Sequence, residues 1–368
     1  MSLRDRLRTQ GESKIRDLYS RFGVDANPFP SSSQTANNPH YSLPTDEEVE
    51  ARILSFLRDR KSQVVVVEGT QGVGKTNLLN FFESEIQSVL SDVDGFYIVR
   101  YLADPEASFE GTIRRLFQEL GVGHLLKLAE RAREDSSALD YARGQDIRTA
   151  LQSLIKSTDQ AQCAKLIMEW LLGFRLLKIH REMLGVQFRL DTVESKTAAL
   201  RDLVLVSSEA GILNGIFLLL DELEKQDGVL GPTAVVRYLS AMRAIIDALP
   251  DHLFMMIAVT PDAMRRYSSA LPAFRSRLQN QITLAPLASV EEARALADFY
   301  LETARRDARK NHPPTAAGTT DLITNQQIES TFDQLRKLGE RRGDAGVRQR
   351  EFLHQLHVLA EKTIQDGG

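Results

Sequence analysis

Only one cysteine, Cys163, stands in 368 residues, so the chain can close no disulfide on itself and build no thiolate zinc cage. The seven histidines never fall at i, i+4 spacing with a further ligand, and no histidine-based metal site is expected. Neither sign of charge dominates: 46 Lys+Arg stand against 50 Asp+Glu, a net charge of −4. That balance excludes wholesale coating of nucleic acid while leaving room for a local basic track. No apolar run approaches the roughly 18–20 residues needed to span a bilayer. The start, Met1-Ser2-Leu3-Arg4-Asp5-Arg6, turns charged at once and has no secretory apolar region. Internal repeats and long low-complexity tracts are also missing. Hydrophobic residues at 42 % and charged residues at 26 % suit a buried core rather than global disorder. The expectation is a cytoplasmic protein with no membrane partner.

What is present is an alternation of strand and helix signals. Residues 1–25 read as a short basic helical arm, with Arg4, Arg6, Arg8, Lys14, Arg16 and Arg21 against Asp5, Glu12 and Asp17. Asn27-Pro28-Phe29-Pro30 and Asn37-Asn38-Pro39 carry loop chemistry. Thr45-Asp46-Glu47-Glu48 has the form of a capping box with Thr45 as N-cap, opening a helix that buries Val49, Ile53 and Leu57. Gln63 to Val67 is a buried strand by length and β-branching, followed by Gly69 to Thr76 and a helical pattern through Leu78, Leu79, Phe82 and Ile86. Phe96-Tyr97-Ile98-Val99 is the next strand and Phe109 to Leu120 the next helix. From about Leu125 to Leu213 the pattern is helical. Strand signals return at Ile216–Leu220 and Leu253–Val259, and weakly at Gln281–Leu284. Beyond Pro286 only helices follow, broken by a loop at 311–318. Such alternation implies an α/β fold with a mostly parallel sheet covered on both faces, and the helical tail implies a separate lobe.

The sharpest chemical signal is Gly69-Thr70-Gln71-Gly72-Val73-Gly74-Lys75-Thr76, a full match to G-x-x-x-x-G-K-[ST] between a predicted strand and a predicted helix. Glycines let backbone N–H groups curl around phosphate, and the helix N-terminus adds its positive end. Lys75 is suited to the β- and γ-phosphates and the Thr76 hydroxyl to Mg²⁺. The second signal is Phe217-Leu218-Leu219-Leu220-Asp221-Glu222, which puts two acids at the C-terminal end of a buried strand, where α/β sheets bind ligands. There Asp221 would hold Mg²⁺ through water and Glu222 would polarise the attacking water. Thr260 ends the Leu253–Val259 strand and is a candidate for touching the γ-phosphate or that water; the plainer reading is a strand-end threonine before Pro261. Arg277 is placed to reach a neighbouring subunit's γ-phosphate, with Arg275 as its rival and a solvated helix face as the plain alternative. Trp170, beside Leu171 and Phe174, reads as local core before base-stacking platform. Arg305-Arg306, Arg309-Lys310 and Arg341-Arg342 make the tail locally basic, with surface solubility as the default reading.

The order of phosphate loop, Asp221-Glu222, Thr260, Arg277 and helical tail resembles that of the AAA+ ATPases, nearest the replication-initiator (origin-recognition) clade. The resemblance implies an arginine at the start of a lid helix. In Gly346-Val347-Arg348-Gln349-Arg350-Glu351-Phe352-Leu353 the preferred candidate is Arg350 over Arg348. A narrower likeness is to the ATP-binding proteins of BREX-type phage-defence systems. It is carried by Trp170-Leu171-Leu172-Gly173, Leu200-Arg201-Asp202-Leu203, Gly211-Ile212-Leu213-Asn214-Gly215, the acids of Asp221–Glu224 and Arg350-Glu351-Phe352-Leu353. These resemblances imply a basic arm and linker over 1–44, an AAA+ core over 45–287 with a helical insertion at about 122–210, and a helical lid over 288–368. They imply an ATPase with ATP and Mg²⁺, a homo-oligomer in which Arg277 acts in trans, and local, ATP-dependent DNA contact. The implied role is a DNA-associated motor, loader or remodeller in phage defence, transposition or replication. The alternative is a nucleotide-gated switch or scaffold that recruits a partner effector, such as a nuclease, through the insertion. The tail leaves little room for a DNA-gripping winged helix, so sequence-specific duplex binding is not expected.

Overall fold

Four consecutive valines, Val64 to Val67, are all buried and form the middle of the first strand, β1 (Gln63–Glu68). The structure is a computed structural model that describes residues 18–31, 38–90, 93, 95–102, 109–223, 232–278, 280–311 and 321–366. With β2 (Phe96–Leu102), β3 (Gly215–Asp221), β4 (Leu253–Val259) and β5 (Asn280–Thr283), β1 builds one sheet in the order β2-β3-β4-β1-β5. The β2/β3, β3/β4 and β4/β1 pairings are parallel. Every residue of β3 and β4 is buried, so both faces of the sheet are covered, which explains their unbroken apolar runs. The register sets Glu68 opposite Val259 and Leu102 opposite Asp221, so these strand ends share one edge. This is the α/β arrangement expected from the sequence, a mostly parallel sheet with helices on both faces.

Helix α1 (Pro44–Asp59) precedes β1 and corrects one expectation. Pro44 is already helical, so Thr45 lies in the first turn and is not the N-cap. A proline's fixed φ suits the first helical position, where its missing N–H costs no hydrogen bond. The buried face holds Val49 and Ile53 as expected, but its third apolar member is Phe56, with Leu57 only half-buried.

Helix α2 (Lys75–Leu90) links β1 to β2. Between β2 and β3 the described residues form only helices: α3 (Phe109–Glu134), a 3₁₀ turn at Ser136–Tyr141, α4 (Gln145–Lys156), α5 (Gln160–Leu171), α6 (Lys178–Leu184) and α7 (Val193–Glu209). Helix α3 is broken at Gly121 (φ 71°, ψ 177°), between the predicted helix end at Leu120 and the restart near Leu125. The insertion does not stand apart. Leu128, Leu151, Ile167, Trp170 and Leu203 belong to the same hydrophobic cluster as Val66, Leu218 and Met255 of the sheet. The remaining helices are α8 (Pro232–Ala248), α9 (Pro261–Ala270), the one-turn α10 (Pro272–Arg275), α11 (Val290–Asn311), α12 (Asn325–Arg342) and α13 (Gln349–Asp366).

Contacts divide the chain into two units, one of residues 44–68 and 81–282, the other of the described residues within 1–43, 69–80 and 283–368. The second unit has its own core, with Phe22, Phe29, Leu296, Ile328, Phe332, Phe352 and Leu356 buried together. Phe29, from the Asn27-Pro28-Phe29-Pro30 stretch, stacks on Tyr300 at 6.4 Å, and its carbonyl lies 2.7 Å from His357 Nδ1. Asn27 Nδ2 donates to His357 O at 3.0 Å and to Glu361 Oε1 at 2.9 Å. A segment with loop chemistry is thus anchored by side chains of α13. The arm up to Asp17, the loop residues 312–318 and Glu224 lie outside the described residues. No helix among the described residues is long and apolar enough to cross a membrane.

Candidate functional site

The chain leaves β1 at Glu68 and turns at once through Gly69–Gly74 into α2. Gly72 (φ +85°) and Gly74 (φ +102°) sit in the left-handed region, where any other residue would strain the backbone. A Cβ on Gly74 would also come to 3.0 Å from Gln349 Oε1. The loop is pinned from the start of α13: the backbone N–H of Arg350 donates to Gly72 O at 2.9 Å. The first bond of the α2 ladder, Leu78 N to Gly74 O at 2.9 Å, follows directly. Lys75 is buried, and its ammonium donates to Gly69 O at 2.7 Å and Thr70 O at 3.3 Å. A positive charge is therefore held inside the loop, at the positive end of a helix. Thr76 is half-buried, and its hydroxyl makes no hydrogen bond among the described residues. One residue on, Asn77 donates from Nδ2 to Asn38 O at 3.2 Å, and its Oδ1 lies 2.8 Å from His40 Nδ1. Sequence reading had assigned Asn77 no role.

The same unit separates the two lid arginines. Arg348 donates to Asp344 at 2.8 Å and lies 3.6 Å from Glu351. The Arg350 side chain is exposed and has no such partner among the described residues. Of the two, Arg350 has the guanidinium available for an anionic ligand.

In the sheet unit, Asp221 closes β3 almost fully buried. Its Oδ2 accepts from Arg100 Nη2 at 2.8 Å and its Oδ1 from the backbone N–H of Glu222 at 2.9 Å. Arg100 also lies 3.9 Å from Glu83 of α2. Sequence reading missed Arg100. The available signal was an arginine in the middle of the apolar strand Phe96–Leu102. Glu222 itself has φ 53°, a left-handed conformation rare for a non-glycine residue and of a kind that gathers at functional sites. Beyond it, Leu223 O accepts from Tyr267 Oη of α9 at 2.9 Å, so the acidic segment is anchored on both sides.

Thr260 follows β4, the strand between β1 and β3, and it is the N-cap of α9: its Oγ1 accepts from Ala263 N at 3.4 Å. Arg277 donates through Nε to Asp247 Oδ1 at 2.5 Å, and Arg243 holds the other oxygen of Asp247 at 3.2 Å. That hydrogen bond, and then the charge of Asp247, push the Arg277 guanidinium further above its ordinary range. Arg275 is exposed with no side-chain partner among the described residues.

No group of three or more His, Cys, Asp or Glu among the described residues could hold a metal ion alone. Thr76 and Asp221 are each hard oxygen donors of the kind Mg²⁺ takes beside substrate phosphates and retained waters.

No curated protein matches this sequence. Solved structures similar to it include the Aeropyrum pernix ORC2 protein in its ADPNP-ADP complexes, 11 % identical, covering 90 % of this chain and 72 % of that one with a TM-score of 0.42. The Walker-type ATPase of Pyrococcus abyssi is 14 % identical over 92 % of this chain and 77 % of that one, TM-score 0.40. Cdc6p from Pyrobaculum aerophilum is 12 % identical over 87 % and 68 %, TM-score 0.40. The model of the family "BREX system ATP-binding protein BrxC/D" matches residues 126–356, more than half of the chain and including most of the insertion, Asp221, Thr260, Arg277 and Arg350. On that match, the chain belongs to the BREX system ATP-binding protein BrxC/D family.

Proposed function

We propose that this chain hydrolyses ATP bound at the Gly69–Thr76 loop. The observation that supports this best is the loop itself, with left-handed Gly72 and Gly74 and an ammonium enclosed by loop carbonyls at a helix N-terminus. On this reading the loop N–H groups and Lys75 bind the β- and γ-phosphates. Thr76 and Asp221 would hold Mg²⁺, which supplies positive charge to the phosphate oxygens. Glu222 takes the proton of the attacking water, Thr260 orients that water and Arg350 reaches the phosphates from the lid. Arg277 of a neighbouring copy stabilises the charge that develops on the transferred group. Phosphate release and binding of a fluorescent ATP analogue test this directly. Lys75→Ala should weaken binding, and Glu222→Gln should bind while hydrolysis stalls. Normal turnover in Glu222→Gln would refute the assignment of the base.

The wider role follows the same reading: an oligomer whose ATP cycle moves, loads or remodels at DNA, in phage defence, transposition or replication. With a net charge of −4, its DNA contact should be local, salt-sensitive and ATP-dependent. ATP turnover indifferent to single- and double-stranded DNA, with no binding at low salt, would end that proposal.

A second reading, a nucleotide-gated scaffold that recruits an effector through its insertion, is favoured by one observation. The family match begins at residue 126, after the phosphate loop, and takes in most of the helical insertion. Because the insertion shares its core with the sheet, surface substitutions test this reading where a deletion would unfold the unit.

A further inference from the structure

We propose that residues 174–189 of the insertion form a docking surface for a partner protein, taking an acidic segment that carries large apolar side chains. The proposal deepens the scaffold reading above and rests on it. Among the described residues twelve large hydrophobic side chains are exposed, and five fall within this one stretch: Phe174, Leu177, Ile179, Met183 and Phe188. Ile179 and Met183 are i, i+4 neighbours on α6, and Leu177 is its N-cap. Phe188 is 73 % exposed and Ile179 68 %. Exposed apolar side chains scattered singly need no explanation, whereas a local concentration marks an interaction site.

The backbone beneath these side chains is held firmly. Asp146 accepts from Gln187 N at 3.2 Å and from Phe188 N at 2.9 Å, and the buried Trp170 donates from Nε1 to Phe188 O at 2.9 Å. Arg189 donates twice to Gly173 O, at 3.1 and 3.0 Å, next to Phe174. Leu176, Leu184, Val186 and Leu190 are buried between the exposed positions. The apolar side chains thus project from an ordered frame, so a partner meets anchors whose backbone needs no further ordering.

Charge selects the occupant. Arg175, Lys178, Arg181 and Arg189 are exposed here against two acids, Glu182, which lies 3.7 Å from Lys178, and Asp146 beneath Phe188, an excess of two positive charges in a chain whose net charge is −4. An acidic partner is favoured, and two copies meeting through the same patch would set these cations against each other. Single-stranded nucleic acid would match the charge and could stack on Phe174 and Phe188. Leu177, Ile179 and Met183, however, are aliphatic and offer no stacking face. The mixture fits a protein segment.

The test uses the full chain in its own host cells, with p-benzoylphenylalanine replacing Ile179 or Phe188, irradiated and mapped by mass spectrometry with and without nuclease. The expected result is a discrete protein adduct whose linked peptide has a net negative charge and several Leu, Ile, Met or Phe residues. The yield should fall about tenfold in Lys178→Glu/Arg181→Glu, as for loss of complementary charge at a docking site, and persist in Lys178→Arg/Arg181→Lys. Trp170 fluorescence confirms that both variants fold. A nuclease-sensitive adduct, an adduct to a second copy, a basic linked peptide, a yield unmoved by charge reversal or no adduct at all would overturn the proposal. ATP binding and turnover measured on the same preparations report separately on the ATPase reading.

Discussion

Replacing Arg100 by methionine tests whether the buried acid of the candidate site depends on its strand neighbour. Asp221 is 1 % exposed, and Arg100 Nη2 supplies the hydrogen bond to its Oδ2 at 2.8 Å. Methionine keeps much of the packing and removes the charge, leaving Asp221 with the Glu222 N–H and with Glu83 nearby as a second acid. Removing one partner of a buried ion pair costs about 3–5 kcal/mol, because the remaining charge stays desolvated without compensation. The pair itself contributes far less than that, so Arg100→Met/Asp221→Asn should recover most of the loss.

Urea denaturation followed by the fluorescence of Trp170 is the assay. This tryptophan is the only one in the chain and lies in the same core cluster as β3. The single variant should unfold at markedly lower urea than the wild type, and the double variant should lie between them. If Asp221 holds Mg²⁺ as proposed, Mg²⁺ with ATP should stabilise Arg100→Met more than the wild type, since it brings back a cation. A single variant within about 1 kcal/mol of the wild type, or a double variant no more stable than the single, would refute the reasoning.

Three further outcomes follow from other contacts. Arg277→Ala should lower turnover of the assembled protein by about three orders of magnitude if the residue acts on a neighbour's phosphate, and Asp247→Asn should raise turnover by freeing it; an unchanged rate in assembled Arg277→Ala would move the role to Arg275. Arg350→Ala should reduce the response to ATP about tenfold, as expected for a lost charge-assisted bond, while Arg348→Ala should act mainly on stability through Asp344. His124 is buried between Tyr97 and Ser207, each 2.7 Å away, and burial, then the charge of Lys127, lowers its pKa from 6.5 to about 4. As pH falls below 6.5 the unfolded chain gains a proton that the folded chain refuses, so about 2 kcal/mol of stability should be lost between about pH 7.5 and about pH 5. His124→Gln should lose less over that interval by urea titration, and parallel losses would sink the assignment.

What was legible in the residues was whatever depends on a local run or a fixed spacing. The valines of β1 and the apolar runs of β3 and β4 read as strands because both faces are buried, which removes any need for alternation. The Gly69–Thr76 turn between strand and helix read directly because two left-handed positions and one enclosed ammonium impose a fixed pattern on eight residues. Arg100 stayed hidden because its role depends on pairing. The register sets it opposite Leu219, two residues before Asp221, on the same face of the neighbouring strand. Thr45 misled because an N-cap and a first-turn threonine after proline look alike until the helix start is known.

The short words behind the BREX-type likeness acquire a physical meaning that the general ATPase motifs could not supply. Trp170 is buried, with its one donor spent on Phe188 O, and so fixes the backbone from which Phe188 projects. Asp202 is buried and accepts from the N–H of Gly144 at 2.6 Å, tying the start of α4 to α7. Neither residue lies in the phosphate loop or the acidic strand end; both are joints of the insertion. A phosphate loop and paired acids are demanded by nucleotide chemistry and recur wherever that chemistry does. Joints that hold one particular helical frame stabilise the core that the insertion shares with the sheet, and they also fix the surface carried on that frame. That is why Phe174, Ile179 and Phe188, exposed on a backbone so firmly held, are the place to look for what separates this ATP-binding protein from others of its fold.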